Sequence, residues 1–158
     1  MKISAAIAGG LAGTLAIASL HEAFRRVTPD APRMDKLDMD LISKAFECID
    51  RKPPEKEELQ RWAVTGELVC DSAYYSLAGI GHKDGAWMRG AILGLIAGIT
   101  AVVLPKPLGL PTAPSNKTLN TKIMTVVLYL TGGLVSAGVS KLVEEAQDNE
   151  EDYDGNFY

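Results

Sequence analysis

The sequence predicts an all-α, polytopic membrane protein. The expected architecture is a compact bundle of four transmembrane helices, or three if the second does not cross, with a cytoplasmic amphipathic helix. Three observations predict it. Three long runs carry no charge, small residues recur within them at four-residue spacing, and the charged residues gather between them. The 47% hydrophobic content and mean hydropathy of +0.06 conceal this segregation.

Crossing the hydrocarbon core takes about 20 mostly apolar residues in a helix. The first run, ISAAIAGGLAGTLAIASL, gives a span over 3–20. The third span, 86–104, contains GAILGLIAGITAVVL and starts near Trp87. The fourth, 123–140, reads IMTVVLYLTGGLVSAGVS and is bracketed by Lys122 and Lys141. Buried helices of water-soluble proteins are rarely charge-free on every face for this long. The first run also resembles a secretory signal peptide, with Ala16-Ile17-Ala18 as the cleavage site. Against that stand its single n-region charge, Lys2, and its patterned glycines, which a signal peptide does not need.

The second span, 62–81, is the unusual one. RWAVTGELVCDSAYYSLAGIG is apolar and small, yet it carries Glu67 and Asp71. Pro53-Pro54 followed by Glu55, Glu57 and Glu58 reads as a helix start, because prolines and acids suit the first turn. Trp62 marks the interface, and GIGHKDG, 79–85, reads as the turn into the next helix. Spacing of four puts both carboxylates on one face, which Tyr74 and Tyr75 continue. At the matching end of the first span stands HEAFRR. An ionisable residue in a span needs a partner. His21, Glu22, Arg25, Glu67, Asp71, Tyr74 and Tyr75 are therefore expected to form an intramembrane polar cluster. Either Arg25 or His21 neutralises an acid and clamps two spans, or the acids form a proton, cation or headgroup site. A third alternative leaves 62–81 partly in water as an amphipathic helix.

In lipid, helices meet where small residues let backbones approach. Such glycine-zipper-like faces are Gly9 and Gly13; Gly90, Gly94 and Gly98; and Gly132 and Ser136, with Gly133 alongside. They can serve internal packing or oligomer contacts.

Between the first two spans, MDKLDMDLISKAF places Leu37, Leu41, Ile42 and Ala45 on one helical face. It predicts an amphipathic helix over about 34–47. Nine of the 16 basic residues lie in 21–61 and three in 105–122. The positive-inside tendency then puts loop 21–61 in the cytoplasm, with four spans leaving both termini outside. The expected location is the inner membrane of a bacterial cell. Residues 1–146 form one transmembrane domain, and 147–158 read as an acidic disordered tail.

Several function classes find no support. The net charge of −4 and the lack of a basic face argue against nucleic-acid binding. Two cysteines and two histidines in no ligand spacing give no metal site and no cofactor. No nucleophile motif points to an enzyme. Expected partners are membrane lipid and either further copies of the chain or a larger membrane complex. The expected role is an accessory subunit or scaffold acting through helix–helix assembly. The alternative is a small ion- or proton-coupled transporter or channel using Glu67 and Asp71.

Overall fold

A computed structural model describes residues 1–110 and 113–155, and among these every regular element is helical. In order they are α1 (Ile3–Val27), α2 (Met34–Cys48), α3 (Lys56–Ser76), α4 (Ala86–Val103), the single turn α5 (Ala113–Asn116) and α6 (Leu119–Gly155). Three helices are long and apolar enough to cross a membrane: Ile3–Val27, Lys83–Val103 and Leu119–Glu150. The chain thus has the build of a membrane protein. The remaining expected span is divided: α3 stops at Ser76 and a 3-10 turn covers Leu77–Gly79. Its charged first turns, with Glu67 and Asp71, keep α3 below the apolarity of the other three.

The long helices alternate in direction, and small residues fix their register. On α1, Gly9 lies against Ser136 and Ser140 of α6, and Gly13 against Gly132, so the two run antiparallel. On α4, Gly90 abuts Gly133, Gly94 abuts Leu130 and Gly98 abuts Val126, again antiparallel. Gly10 of α1 meets Ser72 and Ser76 of α3, while Gly79 meets Ala6. At these points a methyl group would strike backbone. A Cβ on Gly94 would stand 2.6 Å from the Leu130 Cα, and one on Gly98 2.8 Å from the Val126 Cα. Without water to drive association inside lipid, such close packing supplies the attraction. All the small residues expected at helix interfaces are therefore in contacts within this one chain.

Buried hydroxyls add cross-links. Ser136 donates to the Tyr75 carbonyl at 2.7 Å, and Tyr75 donates to the Tyr129 carbonyl at 3.0 Å. Tyr74 reaches the Leu93 carbonyl on α4 at 2.9 Å. At its start α6 is capped reciprocally: the Thr121 N–H donates to Thr118 Oγ1 at 3.1 Å, and the Thr118 N–H to Thr121 Oγ1 at 3.3 Å.

One end of the bundle gathers Met1, the α3–α4 turn and the later part of α6. The Met1 ammonium donates to Gly81 O at 3.0 Å and lies 3.7 Å from Glu144. Arg89, which interrupts the third apolar run, donates from Nε to Ala78 O at 3.1 Å and from an Nη to His82 O at 2.9 Å. It therefore ties the turn to α4. At the other end, the chain after α1 folds back through 28–33. Arg33 N–H donates to Pro114 O at 2.7 Å, and Thr121 to Asp30 O at 2.8 Å. This delivers α2 across that end of the bundle, where Met34 and Leu37 bury against Leu110, Ala101 and Tyr129. Asp50, at φ 57°, turns the chain out of α2.

The acidic segment expected to be disordered is instead helical as far as Gly155, a continuation of α6. The start of this segment is held by pairing at the Met1 end. Gln147 exchanges hydrogen bonds with Ser4, and Asp148 lies 3.5 Å from Lys2 and 3.9 Å from Lys83. The last three residues of that expected tail, 156–158, lie outside the described residues.

Candidate functional site

From Trp62 onward, α3 is built inside out. Trp62, Val64, Leu68 and Val69 face outward, with Trp62 56% and Val69 61% exposed. Glu67, Asp71, Ser72, Tyr74 and Tyr75 lie toward the bundle, half-buried or buried. In water the opposite arrangement is stable. In lipid, this one keeps carboxylates away from hydrocarbon.

The polar residues expected to gather do so only in part. His21 and Arg25 make no ion pair with Glu67 or Asp71. His21 Nε2 instead lies 2.8 Å from the Pro32 carbonyl and pins the 28–33 turn to α1. Glu22 takes both arginines of HEAFRR, Arg26 at 2.8 Å and Arg25 at 3.8 Å. This cluster is thus satisfied along one helix. Tyr74 and Tyr75 spend their hydroxyls on backbone carbonyls rather than on the acids. Asp71 is left with Oδ2 buried and without a hydrogen-bond partner.

Asp71 opens onto a cavity of about 350 Å³ between α2, α3, α4 and α6. Asp71 and Tyr74 line it from α3, Leu37, Asp38 and Leu41 from α2, and Ile96 and Thr100 from α4. Tyr129 of α6 and the Leu104–Leu110 turn complete the wall. Among the described residues, the lining holds two carboxylates and no cationic side chain. Its volume lies within the range of about 300–1,000 Å³ typical of small-molecule sites, which likewise combine apolar walls with few polar groups.

Asp38 is the residue that sequence reasoning passed over. Burial pushes its carboxyl up to about 8, and the neighbouring charges of Glu67, Asp71 and Asp35 act in the same direction. A signal was there: Asp38 follows Leu37 and stands three and four residues before Leu41 and Ile42. That places an acid on the edge of the helix's apolar face. Nearby, Arg33 holds Asp35 by two bonds, at 3.0 and 2.9 Å, so that guanidinium is already engaged.

Among the described residues no three His, Cys, Asp or Glu side chains come together as a metal-binding group. The arrangement can therefore attract and desolvate a cation with two carboxylates, but it does not present the convergent oxygens that a bare divalent ion takes. No family model, curated protein or solved structure matches the chain.

Proposed function

We propose that the protein is a four-crossing membrane bundle that takes up a cation in the α2–α3–α4–α6 cavity, as a small cation- or proton-coupled transporter. The observation that carries this is the pair of cavity carboxylates, Asp38 and Asp71, with no cationic side chain in the lining and with Asp71 Oδ2 unpartnered. Glu67, half-buried one turn before Asp71, adds negative potential beside it.

The fourth crossing has geometric support. Both α1 and α4 run antiparallel to α6, so they run parallel to each other. The chain between two parallel crossings has to return through the membrane. In 28–82, α3 is the helix that runs back along the bundle, and at about 1.5 Å per residue its 21 residues extend about 31 Å. Its outward apolar face is the surface a lipid-facing helix needs. The charge distribution orients the bundle with the α2 end in the cytoplasm and the Met1 end outside. A bacterial inner membrane is the setting proposed.

The test is flux in proteoliposomes. Proton or monovalent-cation movement above that of protein-free vesicles is expected, with Asp71→Asn lowering it at least about tenfold. Glu67→Gln is expected to weaken it less, because Glu67 does not line the cavity. Absence of flux for protons, sodium, potassium and organic amines alike would sink the transporter reading.

An accessory-subunit role is the second reading. It draws support from α6, whose 37 residues outrun a bilayer and carry acids past Lys141. A scaffold working through the small-residue faces has less support, because those faces are engaged inside the chain. Native mass spectrometry on gently extracted protein separates the two, since a subunit brings a stoichiometric foreign partner.

A further inference from the structure

We propose that the cavity binds a lipophilic primary ammonium compound arriving sideways from the bilayer, its ammonium group between Asp38 and Asp71 and its apolar chain along Leu41, Ile96 and Leu104. This rests on the cation-binding reading above and names the ligand class for that site.

The lining excludes other classes in turn. An anion meets two carboxylates and no compensating base. A neutral apolar molecule fills the walls but leaves the buried Asp71 Oδ2 unsatisfied, which costs about 1–3 kcal/mol. A bare divalent metal ion takes more convergent oxygen ligands than the lining offers and makes no use of apolar walls. An ammonium group donates three hydrogen bonds, enough for both carboxylates, and an attached hydrocarbon chain matches the leucine, isoleucine and alanine walls.

Direction of entry follows from exposure. Leu41, Ile96, Leu104 and Leu108 line the cavity and are also exposed, Ile96 to 53%. Ile96 lies on α4, a helix apolar enough to span, so this rim faces hydrocarbon. Across the water-facing end lies α2, anchored by Met34 and Leu37. An amine dissolved in the bilayer thus reaches Asp71 through an apolar mouth, with Asp38 meeting it from above.

Protonation supports the same chemistry. Asp38 faces Asp35 on its own helix and Glu67 and Asp71 on α3, with the Tyr74 and Tyr129 hydroxyls in the wall. Raised to about 8, Asp38 is mostly protonated at pH 7. Ammonium binding therefore ionises it and releases a proton. Binding heats in buffers of different ionisation enthalpy are expected to reveal that release.

The probe is dodecylamine, added to the full chain in phosphatidylcholine nanodiscs and followed by calorimetry and thermal unfolding. Saturable one-to-one binding and a raised Tm are expected. Asp38→Asn and Asp71→Asn should each weaken binding at least about tenfold, and Ala97→Phe, which fills the cavity, should abolish it. Dodecanol and dodecanoate should not bind. The α2 variant and the cavity-filling variant keep the test sharp even if Asp71→Asn fails to fold. Binding indifferent to Asp38→Asn and Ala97→Phe is surface partitioning and overturns the proposal, as does equal binding of dodecanol. Cation flux that depends on Asp71 without any amine binding overturns the ligand class and leaves the transporter standing. Loss of both flux and binding removes both.

Discussion

Replacing Gly90 by alanine is expected to cost about 3 kcal/mol and to leave the protein aggregated or strongly heat-labile on extraction. The effect is out of proportion to one methyl group because of what the methyl meets. At Gly90 it runs into the Gly133 carbonyl oxygen, with Ala137 Cβ at 2.9 Å. Backbone has no rotamer into which to retreat, so α4 and α6 have to separate along their length. Gly133→Ala should behave alike, because its methyl meets Gly90 O and lies 3.1 Å from Gly94 N. The control is Gly66→Ala on α3, where nothing lies within 4 Å of the added atom. That variant should match the parent within about 1 kcal/mol. Thermal unfolding in a mild detergent checks the series. A Gly90→Ala protein as stable as Gly66→Ala would contradict the helix register described above.

The second large effect is on pH dependence. Asp38 binds its proton more tightly folded, at about 8, than at its ordinary value of 3.8. A group raised in this way favours the folded state most below its unfolded pKa, and that advantage is lost progressively from there until pH passes the folded value. Detergent-solubilised protein should therefore lose Tm as pH rises from about 4 to about 8 and change little above that. Asp38→Asn should flatten this fall and stabilise the protein at pH 9 by about 2 kcal/mol. That figure is discounted from about 1.4 kcal/mol per pK unit because the side chain is partly exposed. Hydrogen exchange should locate the loosening in α2, since ionised Asp38 faces Glu67 and Asp71. A pH profile unaltered by Asp38→Asn would show that another group sets it.

Much of this architecture is legible in the residue pattern because lipid imposes simple rules. Charge-free runs of helical length mark α1, α4 and α6, and four-residue glycine spacing marks the faces along which they touch. What the sequence concealed depends on pairing. Arg25 could be matched with Glu67 from spacing alone, yet Glu22 lies three residues away on the same helix and takes it first. Tyr74 and Tyr75 share a face with the acids, but neighbouring helices bring carbonyls closer. Asp38 comes to the cavity only because the 28–33 turn folds α2 back over the bundle, held by Pro114 and Thr121 from far along the chain. The acidic segment from Gln147 looked structureless because the partners of Gln147 and Asp148, namely Lys2, Ser4 and Lys83, belong to distant segments.

The central claim is that α3 crosses the membrane and carries its carboxylates into a lipid-facing cavity. The most direct test uses impermeant maleimide on Lys52→Cys and Lys83→Cys, each in a Cys48→Ser, Cys70→Ser background, in right-side-out and inverted vesicles. Lys52 precedes α3 and Lys83 follows it, at opposite ends of the bundle. The expected result is labelling from opposite sides, Lys52→Cys from the cytoplasmic face and Lys83→Cys from the other. Labelling of both from one side would mean that α3 does not cross, and would contradict the account.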